Sequence, residues 1–260
     1  MLVKELTAAA VTRGLKTRSI GRKVLYFNSL PSTMDIARQE ALKGAIEGTV
    51  IVAGEQTGGR GRLKRSWLAP KGNVALSIIL YPKIESLPYL IMIASLAVVK
   101  SIESFTGVKA QIKWPNDILI GGKKVGGILI ENELRGNKVT YSIVGIGINV
   151  DLRVADYAEI ATTATSLKNE SDKDDLQIEI IRALLTEFER LYLKLPDGKA
   201  IYEGWRERLV TLGKKVRAES GSQDIEGEVE AVDEDGALVI REEDGKLTRV
   251  VAGDVTLREK

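Results

Sequence analysis

The chain has 260 residues, 44 % apolar and 28 % charged, a globular composition with room for one large domain and a smaller one. Its net charge of +2 supplies no general field to draw in nucleic acid or an anionic membrane. It holds neither Cys nor His, which excludes disulfides, thiolate nucleophiles, Ser-His-Asp or Cys-His machinery and imidazole metal sites. Any reaction here runs on Lys, Arg, carboxylates, backbone N–H groups and a loosely held metal ion.

The opening residues lack the long apolar core of a secretion signal, and no 18-residue apolar run follows, so a cytoplasmic protein is expected. VLYFN (24–28) reads as a short strand. Ser32 then has the position of a helix N-cap, Asp35 that of its box partner, and Gly44 that of the stop. TVIVAGE (49–55) and VALSIILY (74–81) read as buried strands. Pro88 marks the start of a helix that is apolar almost all round and runs to Gly107, the pattern of a helix buried against a sheet. Strands follow at 111–114, 124–134 and 138–150, the last two joined by a hairpin turn at RGN (135–137). One helix among many strands points to an α+β sheet rather than a doubly wound fold.

From 151 to 173 the sequence is polar and weakly periodic, as in a long loop. A helix over 174–195 places Leu176, Ile180, Leu184, Phe188 and Leu191 on one stripe, and a second, over 199–212, closes at Gly213. The remainder holds five short alternating runs (214–220, 224–232, 237–242, 246–251 and 255–259), with turns at DEDG (233–236) and EDG (243–245). This is the pattern of a small β-barrel.

Four stretches carry candidate chemistry. In GEQTGGRGRLKRSW (54–67), Gly58, Gly59 and Gly61 let backbone N–H groups approach a ligand, and Arg60 and Arg62 offer forked donors for carboxylate or phosphate. The same stretch also reads as a flexible turn or an RNA-touching patch. No Walker A loop occurs, and GIGINV lacks the third glycine of a dinucleotide fingerprint. KWPND (113–117) sets Lys113, Asn116 and Asp117 around a Trp-Pro bend, or is simply a turn. KKVGGILIE (123–131) carries Lys124 into an apolar strand whose paired glycines imply a close neighbour. GIGIN (145–149) ends in Asn149, suited to a base edge or a polar head group.

Taken in order, GRGR followed by Trp67, KWPND, KKVGGILIE and GIGIN resemble the biotin protein ligase family, and STMD at Ser32 matches its Ser-Thr motif. The resemblance spans residues 14–258. Met34 departs from the Asn of well-known bacterial members, which puts one polar contact in question. No N-terminal winged helix is evident, so no DNA binding or repressor function is expected. The resemblance implies a mixed, mainly antiparallel sheet flanked by helices, like that of class II aminoacyl-tRNA synthetases, followed by an SH3-like barrel. The divisions expected are 1–20 as an extension, 21–212 as the catalytic domain and 213–260 as the barrel.

The implied activity joins biotin to the α-phosphate of ATP, with Mg2+ carried on the phosphates, and passes biotin to a lysine of a biotin carboxyl carrier protein. By the same resemblance Lys124 bridges carboxylate and α-phosphate, Arg62 neutralises phosphate and Arg60 closes the loop. Ser32, Thr33 and Gln56 read the bicyclic urea, with Met34, Gly61 and Gly127 around it. Trp67 stacks on adenine or is plain core. Lys113, Asn116 and Asn149 face the nucleotide. Asp117 takes or orients the acceptor's proton, or is only a turn residue. A homodimer is expected. The rival readings are a lipoate–protein ligase-type enzyme and, in another class, a nucleic-acid-binding module; the near-neutral charge and 5 % aromatic content count against the latter.

Overall fold

The computed structural model describes residues 5–174, 176–221 and 223–257. Its centre is a seven-stranded sheet of β1 (Val24–Phe27), β2 (Val50–Ala53), β3 (Val74–Leu80), β4 (Gln111–Lys113), β5 (Asp117–Ile120), β6 (Lys123–Arg135) and β7 (Lys138–Ile148). The spatial order is β1-β2-β3-β7-β6-β5-β4; β1 and β2 run parallel and every other ladder is antiparallel. The helices are α1 (Ala8–Thr12), α2 (Thr33–Leu42), α3 (Leu87–Thr106), α4 (Leu167–Glu170), α5 (Gln177–Tyr192) and α6 (Gly198–Arg206). The fold is thus the expected α+β arrangement.

Side-chain alternation decides which face each helix covers. On β3, Val74, Leu76, Ile78 and Leu80 join the main core with α3 and α5, while Ile79 turns to Met34, Ala37 and Ala41 of α2. On β7, Val144, Ile146 and Ile148 share the main core, and Tyr141 and Ile143 face α2. A period of two then puts Gly145 and Gly147 on the α2 face, where they leave room. Helix α3 begins with Pro88 in its first turn and ends at Gly107, whose φ of 70° suits only a residue without Cβ. By length and composition Ile84–Thr106 is apolar enough to cross a bilayer, yet it packs between the sheet and α5. Each Leu or Ile fully buried there contributes about 1.5–3 kcal/mol.

The structure departs from the sequence expectations in several places. The N-terminal stretch carries α1 and sends Leu6, Val11, Leu15 and Ile20 into the main core; residues 1–4 lie outside the described residues. It is pinned by the Glu189 carboxylate, which accepts backbone N–H bonds from Arg18 (2.5 Å), Ser19 (2.7 Å) and Ile20 (2.9 Å). Helix α2 starts after Ser32 as expected, but no capping box forms: Ser32 makes no side-chain cap bond, and Asp35 turns to Arg60 instead. Strand β5 was not anticipated, because four residues between a proline turn and a Gly-Gly turn show little periodicity. The loop after β7 contains a 3-10 turn at Val154–Asp156 and the short α4. Helix α6 stops at Arg206, and after a turn at 207–208 Leu209 bridges β4 in parallel, with Ile112 N–H donating to Arg208 O and Val210 N–H to Ile112 O, both 2.9 Å. Those ladder bonds outweigh the helical pattern read there.

The last five strands, β8 (Lys215–Ser220), β9 (Gln223–Val232), β10 (Leu238–Arg241), β11 (Leu247–Val250) and β12 (Asp254–Leu257), form one antiparallel sheet in the order β11-β10-β9-β8-β12. Closure into a barrel would need β11 to pair with β12, and no such ladder occurs among the described residues. The end of the expected last strand, 258–259, lies outside them. This sheet is tied to the larger one by Trp114, whose Nε1 donates to Gly236 O in the turn between β9 and β10 (2.8 Å); the Trp114 N–H donates to Thr211 Oγ1 in the segment before β8 (3.0 Å).

Candidate active site

The candidate pocket opens on the α2 face, over the glycines of β6 and β7. Gly127 and Gly147 are register partners, and the Trp67 indole lies across them. A Cβ on Gly147 would fall 2.3 Å from that ring and one on Gly127 3.1 Å, so no side chain fits under it. Met34 takes the neighbouring space, its sulfur 2.5 Å from where a Cβ of Gly145 would be.

At one end of the pocket Thr33 donates to Gln56 Oε1 through its N–H (2.7 Å) and its Oγ1 (3.0 Å), while Ser77 Oγ donates to Thr33 Oγ1 (2.8 Å). The Ser32 hydroxyl is buried with no partner among the described residues. An orphaned hydroxyl beside an oriented amide, lining an apolar hollow, is equipped to take a polar head group.

The other end is cationic. Lys124 Nζ lies 2.6 Å from Asp117 Oδ1 and 5.4 Å from the centroid of Trp67. Arg62 donates to Asn116 Oδ1 (3.2 Å) and to Gly253 O (2.7 Å), and Asn116 Nδ2 donates to Ile128 O (2.7 Å). Burial pushes the Arg62 pKa down, while Asp254 and Asp117 pull it back up; Arg65 adds to the fall. A guanidinium stays charged regardless. Its partners are mostly neutral, so an arriving anion meets a cation that is only partly neutralised.

The stretch between these ends is a small hairpin, with Gly61 N–H bonded to Arg65 O and Trp67 N–H to Gly59 O. Gly59 is required there, since a Cβ would sit 2.4 Å from Trp67 O. At the tip Leu63 (φ 52°) and Lys64 (φ 60°) are left-handed, a conformation costing roughly 1–2 kcal/mol per residue. Arg60 stands at the rim, 2.6 Å from Asp35 and 3.6 Å from Glu131.

Of the residues singled out from the sequence, Ser32, Thr33, Met34, Gln56, Arg60, Gly61, Arg62, Trp67, Asn116, Asp117, Lys124 and Gly127 line this pocket, whereas Gly58, Gly59, Lys113 and Asn149 do not. Asn149 is buried and donates its amide to Thr165 O (3.0 Å). Sequence reasoning missed Asp35, Glu131 and Arg65, although all three fall inside or beside the motifs quoted. It also missed Gly253 and Asp254, for which no local signal exists. Asp254 Oδ2 is 2.5 Å from Arg65 Nη2, so the C-terminal sheet supplies part of the pocket wall.

Fold and site together define a class. The Biotin/lipoate A/B protein ligase family matches residues 26–149, and the biotin protein ligase C terminal domain matches 211–258. The bifunctional ligase/repressor BirA of Bacillus subtilis is 35 % identical over 259 residues, covering 97 % of this chain and 79 % of that one. The biotin–[acetyl-CoA-carboxylase] ligase of Paracoccus denitrificans is 35 % identical over 219 residues, 80 % of this chain and 91 % of the relative. Among solved structures, the biotin protein ligase of Aquifex aeolicus in complex with biotin and ATP superposes with a TM-score of 0.78 at 31 % identity, covering 92 % of this chain and 100 % of that one. This chain belongs to the biotin protein ligase family.

Proposed function

We propose that this chain activates biotin with ATP to biotinyl-5'-AMP and pyrophosphate, then transfers the biotinyl group to a lysine of a biotin carboxyl carrier protein. The observation that carries the reading is one pocket with a polar reader at one end and Lys124 with Arg62 at the other. In the first step a carboxylate oxygen attacks the α-phosphorus and the bond to the β-phosphate oxygen breaks, with pyrophosphate leaving. Lys124 spans the two anions and Arg62 holds phosphate charge, their present partners giving way. Ser32, Thr33 and Gln56 take the urea, and Trp67 stacks on adenine. In the second step the acceptor's amine attacks the acyl carbon and AMP leaves, with Asp117 placed to take the proton.

A magnesium ion fits this reading as one carried on the nucleotide. Among the described residues no group of three or more His, Cys, Asp or Glu gathers to hold a metal, while Asp117 and Asn116 offer oxygen donors beside Lys124. When bound, the ion screens phosphate charge.

The same reading takes 21–212 as a catalytic unit and 213–260 as an SH3-like one, in a cytoplasmic enzyme with no role at DNA or membrane. A homodimer is supported by the edge of β6 beyond Gly127, which pairs with no strand except β7 among the described residues; sedimentation velocity measures it.

The test is pyrophosphate exchange into ATP that depends on added biotin, alongside calorimetric titration of biotin and lipoate. Exchange without biotin dependence, or tight lipoate binding with none for biotin, would overturn the reading. Two variants probe the pocket further. Arg60→Gly should retain exchange but let the adenylate escape, because the rim latch to Asp35 and Glu131 is gone. A bystander protein probed with streptavidin should then label several-fold more than with wild type, and equal labelling would refute the latch. Gly147→Ala should cut exchange at least about tenfold, since its Cβ displaces Trp67; an unchanged rate would show that the indole's seat is irrelevant.

A further inference from the structure

Strand β7 ends at Ile148, opposite Gly126, so it does not reach Lys124. The returning loop takes over that edge. Lys124 N–H donates to Thr163 O and Thr165 N–H to Lys124 O, both 2.8 Å, and Ala164 pairs with Lys124 in parallel. Leu119 of β5 pairs with Lys124 on the opposite side. The main chain of the lysine is therefore flanked on both edges, on one of them by a loop.

That loop is itself held. Asn149 N–H donates to Val125 O (2.8 Å), Asn149 Nδ2 to Thr165 O (3.0 Å) and Leu167 N–H to Asn149 O (2.9 Å). Thr165 Oγ1 donates to Glu170 Oε1 at 2.6 Å, the short distance of a bond to a carboxylate. Thr165, Ser166 and Leu167 are at most 2 % exposed, so the segment is packed as a core strand would be.

We propose that residues 163–170 are a positioning clamp for Lys124, with the Thr165–Glu170 bond as its lock. This rests on reading Lys124 as the cation between carboxylate and phosphate. In the resting pocket Asp117 aims the ammonium. Once the two anions replace Asp117, the four methylenes of the side chain are aimed only from the main chain and from Trp67. A clamp on that main chain then sets where the charge lands, and a shift of about 1 Å can cost 10²-fold in rate. Thr165 and Glu170 do not line the pocket, so they act through Lys124 and Asn149 as positioning residues.

The full-length chain carries the test. Thr165→Val removes the donor at constant shape, and Glu170→Gln weakens the acceptor by removing its charge. Each should lower kcat of biotin-dependent exchange about tenfold, with KM for biotin within twofold. Thr165→Ser should keep at least half the wild-type kcat. Lys199→Ala, which loses only the exposed pair with Glu203 on α6, should leave the rate unchanged. A wild-type kcat in Thr165→Val, a serine variant as slow as the valine one, or a loss falling equally on KM for biotin would each overturn the clamp. If Thr165→Val does not fold, Glu170→Gln decides alone by the same kcat and KM criteria.

Amide hydrogen exchange at residue 124, whose N–H is bonded to Thr163 O, reads the clamp with no substrate present, and it should quicken at least tenfold in Thr165→Val or in Glu170→Gln. Unchanged protection overturns the clamp. Quickened exchange in a chain whose wild type shows no biotin-dependent activity would instead overturn the functional reading and leave the clamp standing.

Discussion

Lys124→Ala should lower biotin-dependent exchange by about a thousandfold while the fold survives. Two unit negative charges about 4 Å apart repel by roughly 4 kcal/mol at an effective dielectric of 20. At about 1.4 kcal/mol per factor of ten, leaving that repulsion unscreened gives the thousandfold. The lysine is suited to the task because its resting partners are weak. It leans on one carboxylate, at 2.6 Å, and on the face of one indole, with its side chain 36 % exposed, so an arriving anion can replace both. Removing so exposed a side chain leaves no buried void, and the unfolding midpoint should stay within a few degrees of wild type. An exchange rate within tenfold of wild type would refute the role assigned to this residue.

Glu189→Gln should be the most destabilising conservative change, costing about 3 kcal/mol, because three backbone donors and the Ser19 hydroxyl converge on a carboxylate only 5 % exposed. A glutamine offers one acceptor oxygen and turns an amide toward the remaining donors. For a chain this long the unfolding midpoint should fall by about 10 °C. Burial alone would raise the Glu189 pKa, but the bonds from Ser19, Arg18 and Ile20 outweigh it and hold the group below its ordinary 4.5. The stabilisation is therefore complete above that ordinary value and is lost as pH falls through the depressed one. Wild-type and variant midpoints should differ at pH 7 and converge in acid. A difference under 2 °C at neutral pH would show that the N-terminal segment is held by its apolar anchors instead.

What could be read from the residues, and what could not, divides along a physical line. Strands such as 74–81 and the helix ending at Gly107 announce themselves by apolar runs and punctuation, signals local to each segment. The motif stretches were legible because glycines at 127, 145 and 147, in a chain otherwise rich in β-branched strand residues, mark a face where something else must lie. The remainder depends on distant parts of the chain. Asn149 reads from the sequence as a nucleotide contact, and nothing along the chain announces that its amide also donates to Thr165 O. The Ser32 and Asp35 pattern resembled a capping box, but a charged rim residue competed for the aspartate. The 207–212 stretch kept a helical pattern while Ile112 drew its backbone into a ladder. In each case a tertiary partner overrode a local preference, and no spacing along the chain encodes that partner.

The bonds from Arg62 to Gly253 and from Arg65 to Asp254 span 191 and 189 positions. A ribosome therefore releases the two arginines long before it has made the residues that hold them. Folding during synthesis can lay down the central sheet early, but the mouth over Lys124 lacks one side until residues 253 and 254 have been made. A message cut short near position 250 would yield a product with every motif in place and no finished vessel for its chemistry.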